Sequence, residues 1–153
     1  MNNETVEKTI REYLTRVIHM SLATCVDNKP WVCEVHFVYD DQLNIYWRSK
    51  EDRRHSQEIA QNPHVAGNIV EQHGMTDKPR GVYFEGVAQK LEHVEVGDGV
   101  YERFTERFGL GEEIVEDANK DGGHMFYRVN VTNIYLFDAR DSSPSQKYTL
   151  ERK

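Results

Sequence analysis

Apolar positions change their period several times along the chain, and each change marks an element. Val6, Ile10, Tyr13, Leu14 and Val17 recur at helical spacing. They predict an amphipathic helix over residues 4–18, with Asn2 or Asn3 capping its first amides. From His19 to Val26 the period falls to two, placing Met20, Leu22, Thr24 and Val26 on one face of a strand. Asp27-Asn28-Lys29-Pro30 supplies turn chemistry, and Trp31–Tyr39 is almost wholly β-branched or aromatic. After Asp40-Asp41-Gln42 a third strand is predicted over Leu43–Ser49. Asp52 suits the N-cap of a helix that runs to Gln61, where Asn62-Pro63 stops it. A strand resumes over His64–Glu71, and Gln72–Pro79 is a polar loop. Gly81–Glu92 is a long strand with Gly86 at its middle, where a bulge or a close backbone approach is expected. A helix over Val100–Phe108 presents Val100, Phe104 and Phe108, and Gly109 ends it. A short acidic helix follows at 112–119, then a last long strand over His124–Asp138. The tail from Arg140 to Lys153 is polar and expected to be mobile.

Six strands in short meanders, with helices only at the connections, favour a mainly β (α+β) fold, a small antiparallel barrel with peripheral helices. The 153 residues are 38% hydrophobic and 29% charged, enough for one domain with a core of its own. The expected division is a domain over 1–140 and a polar C-terminal tail over 141–153. No apolar run approaches the roughly 18 residues of a membrane span, and the N-terminus carries no secretory pattern. A cytoplasmic protein is expected. The cysteines, Cys25 and Cys33, exclude a disulfide scaffold and are offset across their hairpin, so no bridge between them is expected.

Charge narrows the partners. Nineteen bases against twenty-six acids leave a net charge of −7, which argues against nucleic-acid or membrane-surface binding. Glu92–Asp121 holds ten acids and three bases, so the rest of the chain is neutral. Within that rest, Arg48–His55 carries four bases against two acids. The free amides at the start of the helix after Arg48-Ser49 attract anions, and Arg53, Arg54 and His55 oppose its dipole until an anion joins them. A phosphate is the expected guest. Nucleophile motifs, Walker loops and paired zinc ligands are absent. Glu34 and His36 share a strand face without a third ligand, so no metal is expected.

The pieces L-A-T at 22–24, K-P-W-V at 29–32, V-H-F-V-Y-D at 35–40 and I-Y-W-R-S at 45–49 form a series. R-R-H-S-Q-E-I-A-Q-N-P at 53–63 and R-G-V-Y-F-E-G-V-A at 80–88 continue it. Together they resemble the flavin-binding split barrel of the pyridoxamine 5′-phosphate oxidase-like family, over about half the chain. The resemblance implies a six-stranded split barrel that binds FMN between two identical chains. It implies an FMN-dependent oxidoreductase acting on a small molecule, with no catalytic side chain assigned. The phosphate is then expected at Arg48, Ser49, Arg54 and His55, and the isoalloxazine along Cys33, Glu34, Val35 and His36. The partner chain is expected to contribute Arg80, Gly81 and Phe137. The chain departs from vitamin B6 oxidases: no R-x-H occurs near its C-terminus, Val38 replaces a lysine, and His55 replaces a second basic phosphate ligand. That speaks against vitamin B6 oxidation. The alternative is a haem- or flavin-binding carrier or sensor, with His36 or His124 as haem ligand; a deazaflavin is a third possible guest.

Overall fold

In the computed structural model, residues 1–140 and 147–152 are described. Helix α1 (Asn3–Arg16) begins where Asn2 accepts a hydrogen bond from the Thr5 amide at 2.8 Å, and it buries Val6, Ile10, Tyr13 and Leu14. Strands β1 (His19–Val26) and β2 (Lys29–His36) form a hairpin. Its turn residues Asp27 and Asn28 have φ of 53° and 58°, the left-handed pair that matches the twist of the flanking strands. Strands β3 (Val38–Tyr39) and β4 (Ile45–Lys50) follow, then helix α2 (Arg54–Gln61) and strand β5 (His64–Ile69). The second half holds β6 (Arg80–Leu91), α3 (Gly99–Phe108), α4 (Glu113–Ala118), β7 (His124–Asp138) and β8 (Lys147–Thr149).

All pairings are antiparallel, in the order β2-β1-β5-β6-β7-β4-β3, with β8 added to β7. The sheet curls until β2 meets β4, giving the split barrel. Gly86 sits at a bulge in the β6–β7 ladder. A Cβ there would stand 2.3 Å from the Asn130 carbonyl oxygen, so only glycine allows the approach.

The strand count is corrected from six to eight. The stretch Trp31–Tyr39 breaks at Phe37, whose side chain enters the core while its amide donates to the Ile18 carbonyl. Val38 and Tyr39 then pair with β4 instead. The expectation of a mobile tail is corrected from residue 147 onward. Lys147–Thr149 pairs with Tyr135–Phe137, Leu150 is buried, and the Leu150 amide donates to the Ile134 carbonyl. The tail positions 141–146 and 153 lie outside the described residues. Arg53, rather than Asp52, stands at the N-cap of α2, and no side chain caps those amides.

Two apolar clusters result. The barrel interior packs Met20, Leu22, Phe37, Ile45, Trp47, Phe84 and Val129, and Trp47 stacks on Tyr127 with ring centroids 5.3 Å apart. A second cluster lies outside, where Val38, Tyr46 and Phe126 meet Tyr101, Phe104 and Ile114 of α3 and α4. Outward aromatics on the strands suggest a second chain as their cover. For Tyr46 that cover is α3 and α4 of the same chain. Phe37, Trp47 and Phe84 face inward. Trp31 and Val32 stay 40% and 58% exposed. Arg107 locks the two layers together: it donates to the carbonyls of Leu14 and Val17 at the end of α1 and lies over the Phe37 ring.

Candidate functional site

The second layer does more than cover β4. It walls a cavity of about 850 Å³ on the outer face of the barrel, within the range of small-molecule sites. Strand alternation decides what faces it. Since Met20 and Leu22 point inward, His19 and Ser21 of β1 point out; Glu34 and His36 of β2 and Arg48 of β4 do likewise. Asn68 of β5 and Val70 just after it add the floor, Phe104 and Phe108 of α3 with Leu110 just beyond it the apolar wall, and His124 the start of β7.

Several polar groups in the wall are held by one another. Glu34 accepts from His19 Nδ1 at 3.2 Å and from the Ser21 hydroxyl. The His36 ring leans on Phe108 at 5.6 Å. Arg48, with its side chain only 18% exposed, lies over the Phe126 ring and donates through Nη2 to Asp117 Oδ2 at 3.2 Å. Asp117 Oδ2 also accepts from the His124 amide at 3.0 Å and from His124 Nδ1 at 2.9 Å. These bonds, the amide first, hold the Asp117 carboxyl below the usual carboxylate range. Burial lowers the Arg48 pKa, against the pull of Asp117 and Glu113, yet guanidinium remains charged. Its Nε–H is buried with no partner, a costly state for a donor.

The residues expected around a phosphate do not form one cluster. Arg48 faces the cavity, while Ser49, the next residue on β4, points to the opposite side. There Ser49 Oγ meets His55 Nε2 at 2.7 Å, and burial lowers the His55 pKa. Arg54 donates to Glu58 at 2.8 Å and stacks 4.1 Å from the centroid of Trp31. On β2, Glu34, Val35 and His36 line the cavity; Cys33 packs against the barrel core, and its thiol is pushed up to about 11 by burial and then by Glu34. Arg80, Gly81 and Phe137 are not among the residues that line it, although Gly81 stands against Val70 at its edge. Gly81 pairs with Phe137, whereas Arg48 pairs with Phe126, eleven residues earlier along β7. Arg80 itself lies over Tyr13 and bridges to Glu71.

Asp117, Phe104 and Phe108 escape a sequence reading of the site. Asp117 hides within the acidic run of 92–121, and no local pattern separates it from its solvated neighbours. His124, read from sequence as a haem ligand, is here tied to a carboxylate.

The sequence pattern of the pyridoxamine 5′-phosphate oxidase family matches residues 6–138. The chain belongs to that family. UPF0306 protein plu4501 of Photorhabdus laumondii is 27% identical over 84 residues, which are 54% of this chain and 59% of that protein. The match therefore spans about three-fifths of that relative's length. HutZ, a haem storage protein from Vibrio cholerae, superposes with a TM-score of 0.67 at 21% identity, over 87% of this chain and 94% of its own. A FAD-binding protein from Mesorhizobium loti gives 0.60 at 18% identity, over 85% and 90%. At those identities the likeness shows the fold, and the pyridoxamine 5′-phosphate oxidase family supplies the frame for the cavity. Among the described residues no helix is long and apolar enough to cross a membrane.

Proposed function

We propose that this pyridoxamine 5′-phosphate oxidase family member binds FMN in the outer-face cavity and is an oxidoreductase for a small molecule. The observation that carries the reading is the make-up of that cavity. A flat apolar wall (Phe104, Phe108, Leu110) faces a polar strand edge, and between them lies a cation, Arg48, with a buried unpaired N–H. A planar aromatic ligand with an anionic arm matches all three features. Strand β2 is the last strand of the sheet path, so one of its backbone edges is outside any ladder. Its N–H and C=O groups suit the pyrimidine rim of a flavin. FMN, when bound, supplies the two-electron chemistry. The chain's own groups orient it: Arg48 opposes negative charge, α3 excludes water, and Glu34 with Ser21 and His19 fixes the polar rim. Arg80, Gly81 and Phe137 do not line the cavity of their own chain, and a homodimer in which a second copy brings them to it is part of the proposal.

A second reading is a haem-binding carrier. It is favoured by three histidines, His19, His36 and His124, in the wall of one cavity. Titrating the purified protein separately with FMN and with hemin separates the two. The first reading expects a shifted flavin spectrum at one FMN per chain, weakened about tenfold in Arg48→Gln. A Soret band lost in His36→Ala or His124→Ala, with no change in added FMN, would overturn it in favour of haem.

A further inference from the structure

Arg48 is the cation that faces the cavity, but its charge is already answered by Asp117. Around the cavity the other ionisable groups are Glu34, His19 and His36 from β1 and β2, and His124 from β7. Lys50 is the cross-strand neighbour of His124, and Glu113 of α4 acts on Arg48. With the histidines neutral, this wall carries no surplus of positive charge. One more proton on the protein would favour an anion entering it.

We propose that Asp117 and His124 form a proton-coupled anion site: His124 takes up a proton as an anionic ligand binds beside Arg48, and Asp117 positions the imidazole that receives it. The inference rests on the reading of the cavity as the ligand site and adds its pH control. The geometry is specific about the atoms. Asp117 Oδ2 accepts from the His124 amide and from Nδ1 at once, which fixes both the backbone and the ring. An ionised carboxylate at 2.9 Å requires the proton on Nδ1. Nε2 is then the nitrogen left to gain a proton, and among the described residues no protein hydrogen bond engages it. Once protonated, Nε2–H is a donor in the wall that Arg48 shares, and the Asp117 carboxylate balances the new charge from behind. Arg48 Nε–H, buried and unpaired, gives the same ligand a second donor after a small side-chain rotation. The pattern is a carboxylate that orients a histidine, coupled to anion capture rather than to a nucleophile.

Calorimetry in buffers of different ionisation enthalpy reads the coupling, with FMN as the probe. The wild-type protein is expected to take up a sizeable fraction of one proton per FMN, with affinity falling about tenfold between about pH 6 and about pH 8. His124→Gln is expected to bind FMN with a flatter pH profile, retaining only the change contributed by the ligand's own phosphate. Asp117→Asn is expected to lose the Nδ1–H tautomer preference seen by nitrogen-resolved NMR of the ligand-free protein, whereas Asp117→Glu restores it in part. Equal proton uptake in wild type and His124→Gln, or an Nε2–H tautomer in the free protein, overturns the inference. If FMN gives no binding, the proposed function falls, and inorganic phosphate replaces it as the probe. Phosphate binding with proton uptake that His124→Gln reduces to the ligand's own share then upholds the inference, and no phosphate binding, or equal uptake in the two proteins, overturns it.

Discussion

The two faces of β4 show what this fold does with neighbouring residues. Ile45, Trp47 and Ser49 turn inward, where Trp47 is wholly buried against Tyr127 and Ser49 is closed over by His55. Tyr46 and Arg48 turn outward under α3 and α4, where Tyr46 donates to Asp40 and Arg48 reaches the cavity. The inner face follows the ordinary rule of dry, close packing. The outer face is also covered, but by a layer that leaves a hollow and brings charge into it. On the proposed reading, stability belongs chiefly to one face and recognition to the other, although the two alternate residue by residue.

Substitutions test that division, the largest effect first. Trp47→Ala removes the centre of the inner face and should cost about 3–5 kcal/mol, read as a lower denaturant midpoint. Arg48→Gln, one residue on, should leave the unfolding free energy within about 1 kcal/mol of wild type while FMN affinity falls about tenfold. Equal losses of stability in the two variants would erase the distinction between the faces. Phe108→Ala opens the cavity wall beside His36 without touching the barrel interior. It should weaken ligand binding more than it lowers thermal stability.

The barrel itself is largely legible in the sequence. The boundaries of β1 and β7, the bulge at Gly86 and the left-handed stop at Gly109 all follow from local period and glycine placement. What local pattern does not carry is long-range partnership. Nothing within Trp31–Tyr39 marks the break at Phe37, which is set by the Ile18 carbonyl on the far side of the hairpin. Leu150 looks like a stray apolar residue until β8 lies on β7. The site divides in the same way. Arg48, Glu34 and His36 stand out by charge and strand parity, and their alternation places them on the outer face. Arg54 and His55 stand out equally, yet Glu58, Trp31 and Ser49 engage them. Asp117 acquires its role only when α4 folds against β7.

Smaller effects sharpen the picture at the α2 end. Glu58 is a buried side chain that accepts from Arg54 and from Thr24, and these bonds lower its pKa, the Arg54 bond most. A depressed carboxyl contributes stability that is present above its unfolded pKa and is lost as pH falls through the folded value. Wild-type melting temperature should therefore drop more steeply than that of Glu58→Gln below about pH 4. Parallel acid limbs would show that Glu58 is not the carboxylate responsible. Cys33, with its thiol raised to about 11, should react slowly with a disulfide reagent at neutral pH in the folded protein and quickly after denaturation.

The most direct measurement is a crystal structure of the protein grown with saturating FMN. The isoalloxazine should lie in the cavity between β2 and α3, with Arg48 in contact with an anionic part of the ligand. Flavin density at some other surface, or a cavity holding only solvent with Arg48 still bound to Asp117 alone, would contradict the assignment.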